Sequence, residues 1–423
     1  MSATTARITR CAAALGLLAA AAGCSGSSQG ATVTIMVPWS GPEFAAFYNV
    51  AEQFARKNHF TLDFEVTRAQ TDQLNAAVKA GDPPDLAVLP SVGAVDQYAN
   101  PKVRDLQPLD IQSKDFFQPF RGLMTDGVAN GTVYAVPVKA DVKSLIWYDP
   151  KHTAAPSTDP AALEASKDRW CLGLESGPTS GWPGADWIAD LFLAENGATA
   201  YENWLKGAPE WTGPLVQRAW NTWESLVVVG DSTADSATTA FGDAAAGMYQ
   251  SSTCRLAHGA LAAMAFPASL NAGSDYDFVV PAAPAPLEVS ADFLGMFTRN
   301  NPDAVALINY LSGAAAQAMW VHEPGGYAFS ANSQVSPSAY PNDVERRIAA
   351  LLRPDSGHPL CFGAADMMAP DMSTSFYQSV MYYVEDSTPS TLATQLSGLD
   401  RSQNEFGSSP VSEKSICSSP TLP

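Results

Sequence analysis

The sequence predicts an α/β protein of two lobes, and three observations carry that expectation. At 423 residues, 46% hydrophobic and 16% charged, the chain exceeds the roughly 250–300 residues that one hydrophobic core serves. Its first ordered stretch repeats a strand, loop and helix rhythm, which implies a mostly parallel sheet with helices on both faces. That rhythm gives way to a Pro- and Ala-rich segment at 149–165 and restarts at Trp170-Cys-Leu-Gly-Leu-Glu175, marking a second lobe.

The elements follow in order. Residues 32–37 form an apolar run, Pro38-Trp39-Ser40-Gly41-Pro42 is a turn, and Phe44, Phe47, Ala51 and Phe54 then recur at helical spacing. Residues 60–66 alternate as a strand, 70–80 read as a helix that Gly81-Asp-Pro-Pro84 ends, and 85–90 form a short buried strand. Ligands of such sheets gather beyond the carboxyl ends of the strands, here the loops 39–43 and 90–93. Strands are expected at 132–138 and 144–148, then near 247–250, 276–280 and 290–297. Helices are expected over 186–206, 214–228, 301–320, 338–353, 373–385 and 388–400, and no fixed-period repeat interrupts them.

Charge narrows the function. With 24 Lys+Arg against 43 Asp+Glu the net charge is −19, and without the N-terminal leader, which holds Arg7 and Arg10 but no acid, 22 basic residues face 43 acidic ones, or −21. Attraction to nucleic acid or to anionic headgroups is thereby disfavoured. Beyond the leader no apolar run approaches the ~20 residues that span a bilayer. The leader reads as a signal peptide over 1–23: two Arg, an apolar run from Cys11 to Ala22, then a loose Ser/Gly tether at 24–30. Its end, Ala21-Ala22-Gly23-Cys24, resembles the bacterial lipobox, with Ala21 where Leu is usual. That resemblance implies lipidation of Cys24 and attachment to the outer face of the cytoplasmic membrane by the lipid alone.

Further along, the chain resembles the extracellular solute-binding proteins of bacterial ABC importers, in the carbohydrate group and more narrowly its α-glucoside-binding members. The residues that carry this are Asp82-Pro-Pro-Asp85, Tyr134-Ala-Val-Pro-Val-Lys139, Leu145-Ile-Trp-Tyr148, Trp170 to Gly177, and Ser180-Gly-Trp-Pro-Gly-Ala-Asp-Trp187. Phe241-Gly-Asp243, Gly247-Met-Tyr-Gln250, Pro324-Gly-Gly326 and Gly363 to Met368 follow in the expected order, and the segment from Cys171 to Trp187 is the most specific. The resemblance implies a type II periplasmic-binding-protein clamshell with three interlobe crossovers, near 139–142, 286–291 and 328–332. Lobe 1 would then comprise 31–139 and 291–328, and lobe 2 would comprise 140–290 and 329–423. It also implies a monomer that traps one ligand in its cleft and hands it to permease subunits. Four cysteines remain after Cys24, and three pairings are open to them. Cys171 with Cys254 and Cys361 with Cys417 is favoured, because each pair would lie within one lobe.

A neutral sugar offers weakly apolar C–H faces and a rim of hydroxyls, so its binder needs aromatic platforms and paired polar groups. Trp182, held at a helix entrance after Ser180-Gly181, is the candidate platform, with Asp186 one turn further on. Glu175 ends an apolar strand where its carboxylate could accept two hydroxyls. Trp39, Ser40, Glu43 and Ser91 occupy the loops of the first lobe, and Asp141 lies at the first crossover. Tyr249 and Gln250 would end a strand, Gly326 and Tyr327 would allow close backbone approach, and Asp366 heads a late helix. Few cations accompany these residues, which favours a neutral α-linked di- or oligosaccharide over an anion.

Enzyme signatures are scarce. There is no Gly-x-Ser-x-Gly and no Gly-Lys dipeptide, and the five histidines are isolated, so no cofactor and no metal are expected. The rival readings are an exported glycoside hydrolase using a carboxylate pair such as Glu175 and Asp186, a receptor for a polyol or osmolyte, and a surface lipoprotein with a vestigial cleft.

Overall fold

The computed structural model describes residues 31–99, 105–126, 132–166, 168–229, 235–407 and 416–418. The leader, the tether and Cys24 lie outside them. Among the described residues nine strands form two sheets: β1 (Thr32–Val37), β2 (Thr61–Val66), β3 (Leu86–Leu89), β4 (Ala135–Val142), β5 (Ile146–Tyr148), β6 (Leu256–His258), β7 (Asp277–Val279), β8 (Leu287–Met296) and β9 (Leu360–Phe362). The large sheet runs β2-β1-β3-β8-β4, with β9 added on the first residues of β8; the small sheet runs β6-β5-β7.

The expected βαβαβ unit is present. β1 pairs with β2 and β3 in parallel, and its crossovers are the helices Gly41–Asn58 and Gln70–Ala80. The sheet as a whole is mixed, which corrects the expectation of a mostly parallel one. β8 arrives from far along the chain, enters between β3 and β4, and runs antiparallel to both.

Other expectations also need correction. The helix expected over 301–320 is two, Pro302–Ser312 and Ala314–His322, bent by 69° at Gly313. The helix expected over 338–353 shortens to Asp343–Leu351, because Asn342 caps it: the Asn342 side chain accepts from the Glu345 N–H at 2.9 Å. The strand expected near 247–250 is a π-helical turn, Gly247–Ser251. Gly247 lies against the Cys254 sulfur, where a Cβ would come within 2.5 Å, so the chain winds around the disulfide instead of extending.

Two disulfides close, Cys171–Cys254 and Cys361–Cys417, the pairing favoured from the sequence. One continuous apolar core runs through the molecule and buries Trp147, Trp204, Trp211, Trp220, Trp223 and Trp320 almost completely. No single helix among the described residues is long and apolar enough to cross a membrane.

Candidate functional site

The site is built on two neighbouring strands of the large sheet. Side chains alternate across a strand, so Lys139, Asp141 and, one step past its end, Lys143 share a face of β4, while Glu288, Ser290 and Asp292 share a face of β8. The register sets Lys139 opposite Asp292 and Asp141 opposite Ser290. A sheet interior that is otherwise apolar therefore carries a double stripe of charge, and buried charges of this kind must be paired.

Lys139 Nζ lies 2.7 Å from Glu43 Oε1, 3.0 Å from Asp141 Oδ2 and 3.8 Å from Asp292 Oδ2. Asp292 Oδ2 also accepts the Trp39 indole N–H at 2.9 Å. Lys143 Nζ lies 2.9 Å from Asp186 and 2.7 Å from Asp366, with the fully buried Glu288 beside them. Neither oxygen of Glu288 has a hydrogen-bond partner.

Burial raises these acids. Desolvation pushes the carboxyls of Asp141 and Asp366 up to about 7, against the pull of Lys139 and Lys143 respectively. It lifts Asp186 in the same sense and Glu288 well above the carboxylate range. Burial opposes the charge on Lys143, but Asp186 and Asp366 outweigh it and hold the ammonium protonated.

A third contributor is the helix Trp182–Leu205. Gly181 adopts φ +100° and lies so near the Tyr377 carbonyl that a Cβ would meet it at 2.1 Å, so glycine alone brings this helix start against the helix Pro370–Glu385. Trp182, Asp186 and Asp190 then recur every fourth residue on one face. Asp186 meets Lys143, and Asp190 meets Ser144 and, at 2.9 Å, His258 Nε2.

Between these elements lies a cavity of about 240 Å³. Seven of the residues expected at a site line it: Trp39, Glu43, Ser91, Asp141, Trp182, Asp186 and Asp366. Trp182 packs edge-on to Phe241 with ring centroids 5.2 Å apart, and its buried indole nitrogen has no partner. Trp39 is wedged edge-on against Phe47 and Trp320, so what it offers the cavity is the placing of Asp292.

Six expected residues lie elsewhere. Ser40 is exposed before the first helix. Glu175 is exposed, and its carboxylate accepts from the Gly177 N–H two residues on, where Gly177 turns the chain with φ +59°. Tyr249 belongs to the turn beside the disulfide, and Gln250 faces a separate pocket next to Cys171 and Cys254. Gly326 backs onto Ala46, and the Tyr327 hydroxyl donates to the Phe266 carbonyl.

The sequence reasoning missed Arg68, Phe241, Ser290, Asp292 and Tyr377, all of which line the cavity. Arg68 bridges it, donating to the Pro38 carbonyl at 3.2 Å and to Ser176 Oγ at 2.8 Å while lying 5.1 Å over the Phe241 ring. Ser290 and Asp292 had a signal, since alternating polar residues inside an apolar strand must face something polar. No group of side chains suited to a metal ion occurs among the described residues.

Residues 49–348 match the family described as bacterial extracellular solute-binding protein. Two curated relatives agree. The alpha-glucosides-binding periplasmic protein AglE of Rhizobium meliloti is 31% identical over 327 residues, covering 69% of this chain and 71% of that protein. The osmoprotective compounds-binding protein GgtB of Synechocystis is 25% identical over 390 residues, covering 86% and 90%. A solved chitin oligosaccharide binding protein superposes with a TM-score of 0.73 at 16% identity, covering 89% of this chain and 99% of its own, which establishes the two-lobed fold. The chain therefore belongs to the bacterial extracellular solute-binding protein family, the capture receptors of ABC importers, and to no enzyme class.

Proposed function

We propose that this receptor is a monomer, held at the outer face of the cytoplasmic membrane by a lipid on Cys24, that captures a neutral sugar and passes it intact to permease subunits. An α-glucoside of short chain length is the ligand of this reading. The observation that carries it is the cavity of about 240 Å³ lined both by the aromatic residues Trp182, Phe241 and Tyr377 and by the carboxylates of Glu43, Asp141, Asp186, Asp292 and Asp366. Rings suit the C–H faces of a sugar, and carboxylates accept adjacent hydroxyls. The volume falls just under the roughly 300–1,000 Å³ of small-molecule sites, which supports a mono- or disaccharide over a longer glycan. The similarity to AglE supports an α-glucoside. The longer coverage by GgtB supports a second reading, a polyol or other osmolyte.

In this reading lobe 1 comprises 31–139 and 291–328, lobe 2 the remainder, and the crossovers serve as the hinge. Hydrogen bonds between Ala140 and Phe329 and the pairing of Ala140 with Ala291 support a hinge of three bonded segments.

A thermal-shift screen over mono-, di- and trisaccharides and polyols, followed by calorimetry, tests the ligand class, because a ligand bound only by the folded state raises its apparent stability. α-Glucosides are expected to give the largest shift and to be recovered unhydrolysed. A response to polyols alone selects the second reading, and release of glucose ends both. Mass spectrometry of the membrane fraction tests the lipid on Cys24.

A further inference from the structure

Beside the cavity, where the two proposed lobes meet, one glycine is seated more tightly than its own helix demands. We infer that Gly93 is the positioning residue of closure: the lobes shut backbone against backbone at this point, and a side chain there holds the cleft ajar. The inference rests on the division into lobes proposed above and assigns the place at which they come to rest.

Gly93 is the second residue of the helix Val92–Ala99; it is buried and its backbone is ordinary helix. Conformation therefore does not call for glycine, which weakens a helix relative to alanine. Space does. A Cβ at this position would lie 1.7 Å from the Met368 carbonyl oxygen and 2.8 Å from the carbonyl carbon. A carbon keeps roughly 3.3 Å from such an oxygen, so a methyl group requires the two backbones to part by about 1.5 Å.

Each side of the contact is anchored in its own lobe. The helix Val92–Ala99 holds Tyr98 against Phe297 with ring centroids 5.3 Å apart, and the Tyr98 hydroxyl donates to Asn75 at 2.8 Å. Met368 stands between Asp366, which meets Lys143 at 2.7 Å, and the helix Pro370–Glu385, whose Phe376 packs on Trp211 with centroids 4.9 Å apart. Neither backbone yields locally. Ser91 Oγ accepts from the Ala94 N–H at 3.0 Å and pins the first turn of one helix. Opposite it, the Met368 N–H donates to the Ala365 carbonyl at 3.3 Å and the Ala369 carbonyl accepts from the Ser373 N–H at 3.0 Å. Close-packed, bonded segments pass strain on, so a wedge at Gly93 moves whole lobes. Ser91 and Ala94 line the cavity from one side of the contact and Pro370 and Ser373 from the other, so this gap sets the width that a bound ligand must span.

Gly184 supplies the control. It too lies in the first turn of a helix with ordinary backbone, and a Cβ there would meet Val380 at 2.6 Å and Trp223 at 3.1 Å, both within one lobe. Alanine gains the same helix propensity at either site, so comparing the two isolates the contact. In chemical denaturation of the ligand-free receptor, Gly184→Ala is expected to lower the midpoint clearly and Gly93→Ala to leave it nearly unchanged, because parting the lobes relieves the clash without disturbing either core. Calorimetry with maltose, and with sorbitol for the polyol reading, is expected to show at least about a tenfold loss of affinity in Gly93→Ala and a larger one in Gly93→Val, since hydrogen bonds stretched across the wedged cleft are lost. Undiminished affinity in Gly93→Ala, or a midpoint that falls as far as that of Gly184→Ala, overturns the inference. Should neither probe bind the unmodified receptor, the ligand reading fails by itself and the denaturation comparison still decides the role of Gly93.

Discussion

Lys139 and Lys143 stand four residues apart beside the same cavity, and each is ringed by three carboxylates, but their surroundings differ. The side chains around Lys139 keep some contact with water, up to 25% exposure at Glu43, and one of them, Asp292, also holds the Trp39 indole. Around Lys143, Asp186 is 6% exposed and Asp366 11%, close to the 10% of Asp141, and the difference lies in Glu288, which is sealed with no hydrogen-bond donor. Identical charge counts therefore do different work. The Lys139 group reaches water through Glu43, whereas the Lys143 group, with Glu288 behind it, links β4, β8 and the helix Trp182–Leu205.

This contrast can be broken most forcefully at Lys143. Replacing it with Met strands three buried acids, and a loss of about 3–5 kcal/mol in chemical denaturation is expected. Lys139→Met should cost roughly half as much, because water reaches its acids; equal losses would erase the distinction. Next in size is Trp182→Ala, which should weaken sugar binding by about 10- to 100-fold in calorimetry, with a smaller loss of stability than Lys143→Met because the indole is only partly buried against Phe241. An unchanged isotherm would remove the indole from the site.

Acidity sharpens the same comparison. Asp141 and Asp366 have carboxyls raised to about 7 in the folded protein, so between about pH 4 and pH 7 the folded state binds more protons than the unfolded one. Stability from these groups is complete below that window and falls as pH rises through it. The unliganded receptor should accordingly melt at a higher temperature at pH 5 than at pH 8, and Asp366→Asn should flatten that difference. The smallest effect is expected at Glu175→Gln, which should leave ligand affinity within about twofold, since its carboxylate turns back onto its own loop.

How far the sequence is legible follows from the same physics. Local periodicity sufficed for the βαβαβ unit and the helix that follows Gly181, but not for the strand expected at 170–175, where only isolated bridges at Trp170 and Glu175 form. It also located Trp182 and Asp186, because a helix entrance fixes where both side chains point. It failed for Tyr249 and Gln250, where an apolar run looked like a strand but the Cys171–Cys254 bond and the tight seat of Gly247 wind it into a turn. Glu175 was misjudged because Gly177 reverses the chain just after it. Arg68 and Tyr377 lie more than three hundred residues apart and meet only through tertiary packing, so no local pattern announces them together. The entry of β8 between β3 and β4 is equally non-local, and it is what brings Asp292 beside Lys139.

The charged stripe and the proposed pivot occupy one length of β4 and β8. Twisting those strands against each other changes the spacing of Lys139 from Asp292 and of Lys143 from Glu288, so a rotation of the jaws is felt as a shift in local electric field. In the proposed reading, a charge bound at that pivot would bias the rotation that displaces the rims of the two lobes.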